Sequence, residues 1–197
     1  VNGHTRDVRL FHKLSTYIMQ DDLLQPRLTV LESMRIAADL KLGTELGTAE
    51  KELIVDEILQ TLGLWKHKDT MSERLSGGQR KRLSIGMELV NNPPVIFLDE
   101  PTTGLDIVSI RQLVVLLRLL ARQGRTIVCI VHQPSASLFT LFDKIYVLSR
   151  GLCCYQVNVL SIYNINFKRL LEFKRLVLTN LLKWNKRLFF FFFNLLK

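Results

Sequence analysis

Two uninterrupted apolar runs constrain the fold of this chain more than any other feature of its sequence. They are Val95–Leu98 and Thr126–Val131. Runs of this length without polar alternation are typical of strands that are buried on both faces of a parallel sheet. Residues 107–122, between the runs, predict a helix because their apolar side chains recur at helical spacing, at Ile110, Leu113, Val114, Leu117, Leu120 and Ala121. The alternation of strand, helix and strand predicts an α/β fold with right-handed crossovers.

The residues before Val95 are predicted to be mostly helical after one short strand, Ser15–Met19. Thr29 and Glu32 have the spacing of a capping box, which predicts a helix from there to about Leu42. A second helix is predicted over about 49–62, with Leu53, Ile58, Leu59 and Leu62 on one side and Gly63 as its stop.

Charge is distributed unevenly along the chain. The net charge of +9 over 197 residues would by itself suggest a nucleic-acid or membrane partner. From Leu152 onward, however, eight Lys and Arg residues face one acid, Glu172, which leaves +2 for residues 1–151. The excess therefore belongs to the last part of the chain, and we expect no nucleic-acid partner.

The cysteines, the start of the sequence and the lengths of its apolar runs indicate the kind of environment in which the chain works. Three cysteines give no disulfide framework, which favours a reduced, cytosolic environment. The sequence opens at Val1 without Met or a signal-peptide pattern, so we expect it to start within a longer protein. No apolar run approaches the 18 residues of a membrane span, and the longest candidate is Leu188–Phe193.

Polar side chains follow both buried runs, where ligands bind in parallel α/β sheets. Asp99 and Glu100 come at the end of the first run, and His132 follows the second. One carboxylate there could hold Mg²⁺ while the other orients or deprotonates a water molecule. Each residue also has a plainer interpretation: acids that open a loop, and a structural histidine.

Leu75–Gln79 reads Leu-Ser-Gly-Gly-Gln and precedes a helix predicted from about Gln79 to Val90. A helix N-terminus behind Ser-Gly-Gly is suited to bind an anion. Three cations, Arg80, Lys81 and Arg82, occupy the end of the helix where the macrodipole disfavours them, and a nearby phosphate would offset that cost. The alternative is a surface loop with basic side chains around it.

Taken together, these segments resemble the nucleotide-binding domain of ABC transporters. The matching segments are Gln20 (Q-loop), Leu75–Gln79 (signature motif), Val95–Glu100 (Walker B), Thr103–Asp106 (D-loop) and His132 (switch histidine). Three further segments are similar to the G subfamily of eukaryotic half-transporters, and within it to sterol- and lipid-exporting members: Tyr17–Asp22, Asn91–Pro94 and His132–Ser135. The resemblance covers about residues 1–156.

The resemblance implies a role for each matching residue. Asp99 would support Mg²⁺ and Gln20 would complete its coordination sphere, Glu100 would act as general base, and His132 would contact the γ-phosphate of ATP. Ser76, Gly77, Gly78 and Gln79, as signature residues, would bind ATP that is held by a partner subunit, and Asp106 would communicate across that interface.

The resemblance also implies the architecture: a P-loop NTPase-like ABC ATPase core with a mainly parallel sheet, and a helical signature subdomain over about residues 23–92. The family's phosphate-binding loop, G-x-x-x-x-G-K-[ST], does not occur in the sequence. We therefore expect an N-terminally truncated domain that binds ATP very weakly and does not hydrolyse it alone.

Residues 157–197 depart from the family. They are rich in Asn, Ile, Lys, Phe, Leu and Tyr, whose codons are rich in A and T, so intron read-through after Gln156 is one interpretation. The other is a disordered tail or an amphipathic basic helix on a membrane surface.

The function implied is export of lipids, sterols or other small molecules, driven by ATP hydrolysis. The expected partners are a second half-transporter subunit and a membrane domain that is absent here, at the cytosolic face of a membrane. Two alternatives stay open: a non-catalytic decoy that pairs with an intact half-transporter, and a soluble ABC ATPase.

Overall fold

The computed structural model describes residue 5 and residues 7–131, 141–149, 152–158 and 189–194. The helices in this part are α1 (Val8–Leu14), α2 (Val30–Leu42), α3 (Thr48–Thr61), α4 (Gly77–Leu89) and α5 (Ile107–Arg122), with short 3₁₀ helices at Trp65–His67 and Ser72–Arg74. The strands are β1 (Ser15–Ile18), β2 (Val95–Asp99), β3 (Thr126–Val131), β4 (Lys144–Ser149), β5 (Leu152–Asn158) and β6 (Phe189–Asn194).

Within the described residues, six strands form one sheet in the order β1-β2-β3-β6-β4-β5. β1, β2 and β3 run parallel, which confirms the predicted α/β fold. The other three pairings are antiparallel, because β6 runs against both β3 and β4 and because β5 returns beside β4. The parallel part of the sheet is therefore the part that brings strand ends together at one edge.

The tail contributes a strand to the middle of the sheet. Phe189–Asn194 lies between β3 and β4 and pairs with both along five positions each. At residues 189–194 the sequence suggested a disordered or helical tail, but they form a strand because the backbone groups of β3 and β4 offer partners on both sides. Residues 159–188 and 195–197 lie outside the described residues, so the interpretation of the rest of the tail stays a prediction. The boundary after residue 156 stays a prediction.

Local signals placed α2, α3, α4 and α5 correctly, whereas α1 was not predicted. Thr29 and Glu32 form the predicted capping box at the start of α2, and Gly43 ends that helix with φ 63°. Within α3, Leu59 is fully buried, and Leu62, which caps the helix, is almost so, whereas Leu53 is 70% exposed. The prediction that Leu53 lies on the buried face is wrong. Val55, and not Leu53, lies on the face of α3 that packs against α2 and α4.

The core of the described part is one cluster of buried side chains. It joins α2, α3, α4 and α5 to the sheet through residues such as Met34, Leu59, Leu83, Leu117 and Ile96. α4 approaches α2 and α3 so closely that a Cβ on Gly86 would lie 2.7 Å from Leu62 Cδ1 and 3.2 Å from Met34 Sδ. This packing fixes α4, and with it the position of the Ser-Gly-Gly segment at its N-terminus.

Candidate nucleotide and magnesium site

Three parallel strands end at one edge of the sheet, and the predicted site residues follow them. Ile18 lies opposite Leu98, and Asp99 lies opposite Ile130. Gln20, which is exposed, therefore comes two residues after β1 at the edge where Asp99 ends β2. His132 follows the last residue of β3 and lies outside the described residues, so its role stays a prediction.

A tyrosine that the sequence analysis did not single out as a site residue contacts the predicted magnesium ligand. The Tyr17 hydroxyl donates a hydrogen bond to Asp99 Oδ2 over 2.6 Å. This bond, then partial burial and the Asp99 charge, raise the pKa of Tyr17 to about 12. Strand alternation could have found it: Tyr17 lies opposite Phe97, and Asp99 is two residues further along the same face.

Glu100 has an unusual backbone conformation, with φ 41°. The left-handed region costs a non-glycine residue about 1–3 kcal/mol, so surrounding contacts must hold it there. Its N–H donates to the Ile130 carbonyl over 2.9 Å, and Thr103 Oγ1 donates to Glu100 Oε2 over 3.0 Å. Each bond contributes about 0.5–1.5 kcal/mol net, which is enough together to offset the strain. The predicted general base is thus held at both its backbone and its carboxylate.

The N-terminus of α4 is built by a capping box that the sequence analysis did not identify. Ser76 N–H donates to Gln79 Oε1 over 2.8 Å, and Gln79 N–H donates to Ser76 Oγ over 3.3 Å. Since Gln79 Oε1 faces Ser76, its Nε2 points away from Ser76 and lies 3.0 Å from His67 Nε2. The Gln79 amide therefore donates to that ring nitrogen, which is the acceptor. Gln79 uses its side chain inside the domain, and any part it has in binding ATP stays a prediction.

The two signature glycines allow α4 to touch the start of α5. A Cβ on Gly78 would lie 2.9 Å from both Cβ and Oγ of Ser109, and one on Gly77 would lie 3.1 Å from Leu105 Cδ2. Asp106 caps α5, accepting from the N–H groups of Val108 and Ser109 at 3.1 Å each. Bonds from the Ser109 side chain and then its backbone are the main causes that lower the pKa of Asp106. Asp106, predicted to lie at an interface, is exposed and caps the helix whose Ser109 meets Gly78.

The sequence suggested that a phosphate would compensate the three cations after Gln79. In the structure, their partners include carbonyl groups within the domain. Arg80 Nη1 donates to the Leu75 carbonyl over 3.1 Å. Arg82 donates to the carbonyls of Gly78 and Leu62, and burial lowers its pKa. Lys81 is turned toward the segment after β1. The cost of placing cations at a helix N-terminus is therefore offset by carbonyl oxygens within the domain.

The residues at the sheet edge fit Mg²⁺ in their chemistry. Asp99, Glu100 and Gln20 offer the oxygen ligands that this ion prefers, and the carboxylates are half-buried. In the described part of the chain, no group of three or more His, Cys, Asp or Glu side chains could hold a metal by itself. Mg²⁺ commonly takes one or two carboxylates and completes its sphere with water and phosphate, which suits this sparse set.

Comparison with known proteins decides the family. The model of the family described as "ABC transporter" matches residues 2–103. The chain belongs to the ABC transporter family. A solved structure of the same kind, cbiO1 from Clostridium perfringens, part of the ABC transporter complex cbiONQ, is similar with a TM-score of 0.70 and 25% identity over 90% of this chain and 66% of that one.

The curated relatives include ABC transporters of the G subfamily, which agrees with the resemblance in the sequence motifs. Protein scarlet of Drosophila melanogaster is 44% identical over 77% of this chain and 23% of its own length. The broad substrate specificity ATP-binding cassette transporter ABCG2 of Bos taurus is 41% identical over 77% and 24%. ABC transporter G family member 5 of Oryza sativa is 40% identical over 79% and 20%. This chain thus spans about a quarter or less of these ABC transporters. None of the helices in its described ranges is long and apolar enough to cross a membrane.

Proposed function

We propose that this chain is an ATP-binding and ATP-hydrolysing domain segment of a G-type ABC transporter. One observation carries the proposal: the parallel strands β1 and β2 bring Gln20, Asp99 and Glu100 to one edge of the sheet. In this arrangement Asp99 holds Mg²⁺ and Gln20 completes its sphere. Glu100 positions or deprotonates the attacking water, and His132 contacts the γ-phosphate.

The signature segment serves a second subunit. Ser76, Gly77 and Gly78 form the N-terminus of a 13-residue helix, where backbone N–H groups and the helix dipole favour a phosphate. Ser76 is exposed, so ATP held by a partner half-transporter could reach this end of α4. Asp106 caps α5, whose Ser109 meets Gly78, and would transmit contact with the partner to α5. The active assembly is then a head-to-tail homodimer or heterodimer.

This sequence holds no phosphate-binding loop to grip the β- and γ-phosphates. We infer that the chain alone binds ATP very weakly and does not hydrolyse it. Titration calorimetry of the chain with MgATP should show no binding at micromolar concentrations, and a micromolar Kd would refute this part of the proposal.

The transported substrates are lipids, sterols or other small molecules, as the G-type motifs suggest. The domain then works at the cytosolic face of a membrane, attached to a membrane domain that this sequence does not include. The bovine relative is named for its broad substrate specificity, which supports a proposal that spans several substrate classes.

A decoy function has one observation in its favour. The signature segment and Asp106 are folded and capped in a sequence without a phosphate loop. Such a chain could pair with an intact half-transporter and complete only one of the two nucleotide sites.

Both functions depend on the signature segment acting in trans, and one mixing experiment tests that. The chain is added to an ABC nucleotide-binding domain that has an intact phosphate loop but a disabled signature motif. ATP hydrolysis should appear on mixing, because this chain supplies the missing motif to the partner's bound ATP. No gain in hydrolysis over either protein alone would refute the role in trans.

Matched variants sharpen the result. Ser76→Asp keeps a good helix cap but adds a negative charge where the phosphate binds, so it should abolish the gain. Ser76→Asn keeps the cap without the charge and should retain most of the gain. Glu100→Gln should also retain it, because the catalytic carboxylate of that site belongs to the partner. Equal activity of the Asp and Asn variants would contradict the anion site.

A further inference from the structure

Lys81 is a buried cation in the middle of the segment that the sequence analysis assigned to phosphate. Its side chain is only 3% exposed, although it lies in the second turn of α4, next to the exposed N-terminus of that helix. Burying an ammonium group is costly unless it is paired and hydrogen-bonded. Its partners therefore indicate what the residue does.

Among the residues that the structure describes, those partners all lie in the segment that follows β1. Lys81 Nζ donates to the Gln20 carbonyl over 2.7 Å and more weakly to the Met19 carbonyl over 3.4 Å. It also forms an ion pair with Asp22 Oδ1 at 2.7 Å, and the Asp22 side chain is 17% exposed. The two carbonyls accept hydrogen bonds from the ammonium group and Asp22 balances its charge, so one segment supplies all three contacts.

The geometry places the group between two parts of the proposed site. Lys81 is five residues after Ser76 on α4, and its carbonyl partner is the backbone of Gln20 itself. The side chain of Gln20 is exposed, so its own packing does not fix it. We propose that Lys81 is a positioning residue that ties the backbone of Gln20 to the signature helix; this rests on the proposed role of Gln20 in the magnesium sphere.

α4 holds β1 at a second place, which offers a matched control. Glu88, two turns after Lys81, accepts a hydrogen bond from Thr16 Oγ1 and pairs with Lys41 Nζ at 2.7 Å. This contact joins the same helix to the same strand but lies away from Gln20. Glu88→Gln should therefore loosen the contact between helix and strand without freeing the segment after β1.

Backbone ¹⁵N relaxation of the chain without nucleotide tests the proposal. Rigid backbone has an order parameter of about 0.85 and flexible backbone falls below about 0.6. In the wild-type protein and in Glu88→Gln, we expect Gln20 and Asp21 to be rigid. In Lys81→Met they should become flexible, while β2 and α5 keep their wild-type values. Rigid Gln20 and Asp21 amides in Lys81→Met would overturn the proposal.

A double variant separates positioning from stability. Lys81→Met alone leaves the Asp22 carboxylate without its cation, so it also lowers the Tm. Lys81→Met with Asp22→Leu replaces the pair by apolar groups and should recover most of the Tm, but Gln20 should stay flexible because its carbonyl has no donor. Recovery of both the Tm and the rigidity would show a merely structural role.

A further measurement uses the wild-type protein, so its result does not depend on whether a variant folds. The ammonium protons of Lys81 should give a ¹H–¹⁵N signal at neutral pH, where exposed lysine ammonium protons exchange too fast to be seen. Selective ¹³C-carbonyl labelling of Gln20 should show coupling across the hydrogen bond. Absence of the slowly exchanging Lys81 ammonium signal would refute the proposed contact with the Gln20 backbone. These readouts use no ATP, so a failed mixing experiment would not alter them.

Discussion

The Tyr17 hydroxyl donates to Asp99 Oδ2 over 2.6 Å and so connects β1 to the acidic end of β2. The donor stands on the strand that leads to Gln20, and the acceptor is the proposed magnesium ligand. One oxygen of Asp99 is therefore oriented by the protein itself. The other oxygen is the one that we propose as the metal ligand.

The Tyr17–Asp99 bond predicts an unusual tyrosine titration. The pKa of Tyr17 is raised to about 12, mainly by the bond to Asp99. Because the folded pKa lies above the unfolded value near 10, the stability from this bond is fully present below pH 10 and is lost between pH 10 and about 12. In Asp99→Asn the pKa of Tyr17 should fall toward 10. NMR of ¹³Cζ-labelled tyrosine measures it, with Tyr17→Phe to assign the signal.

Two outcomes would contradict this prediction. Tyr17 could titrate near pH 10 in the wild-type chain, or its titration could be unchanged by Asp99→Asn. Unfolding at high pH is recognised separately, because the tyrosines would then titrate together with a loss of helical circular dichroism.

The contact of Gly78 with Ser109 predicts a size-dependent cost at the signature segment. Gly78→Ala would bring a Cβ to within 2.9 Å of Ser109 Cβ, which is backbone-anchored and cannot move away easily. Overpacking of this kind costs about 1–3 kcal/mol. Gly77→Ala should cost less, because it meets the far end of the Leu105 side chain, at 3.1 Å. Urea unfolding of the two variants compares them.

A double-mutant cycle with Ser109→Gly checks the cause of that cost. Removing the Ser109 side chain should make Gly78→Ala tolerable, so the two changes together should destabilise less than the sum of the single changes. Simple additivity would show that the Gly78 effect arises elsewhere, for example from the backbone of α4.

The place of β6 in the sheet predicts a specific cross-link. Cys129 lies opposite Phe192 in the antiparallel pairing of β3 with β6. Opposite residues of such pairs have Cα atoms about 4.5–5.5 Å apart, which suits a disulfide. In a chain with Cys153→Ser and Cys154→Ser, Phe192→Cys should therefore form a disulfide with Cys129 on oxidation. Non-reducing electrophoresis and peptide mapping detect it.

Phe191→Cys is the matched control for the cross-link. Residue 191 lies opposite Ile130, one position out of register with Cys129, so it should bond to Cys129 far less. Equal cross-linking at both positions would contradict the register. A cross-link that joins two chains would show that β6 comes from a second copy.

The fold was largely predictable because its signals are local. The capping box of Thr29 and Glu32, the apolar run Val95–Leu98 and the apolar spacing of residues 107–122 each lie within a few residues, and each element formed where expected. Leu53 is the exception: helical spacing admits more than one inward face, and the packing of Val55 decided which one was buried.

The candidate site was predictable only in its motifs. The order of Gln20, Ser76–Gln79 and Asp99–Glu100 indicated the family, and the family model confirms it. The contacts that hold these residues escaped the sequence analysis. The left-handed φ of Glu100 depends on Ile130 and Thr103, and the bond to Asp99 comes from a neighbouring strand.

The sequence by itself determined the elements and the identity of the chemical groups, because hydrophobic periodicity and helix caps act between residues close in the chain. Only the tertiary structure decided that Lys81 serves the Gln20 backbone instead of a phosphate, and that Phe189–Asn194 enters the sheet between β3 and β4. Both outcomes depend on partners that are distant in the sequence. Burial makes each buried polar group find such a partner, and the packing of the elements determines which one is within reach.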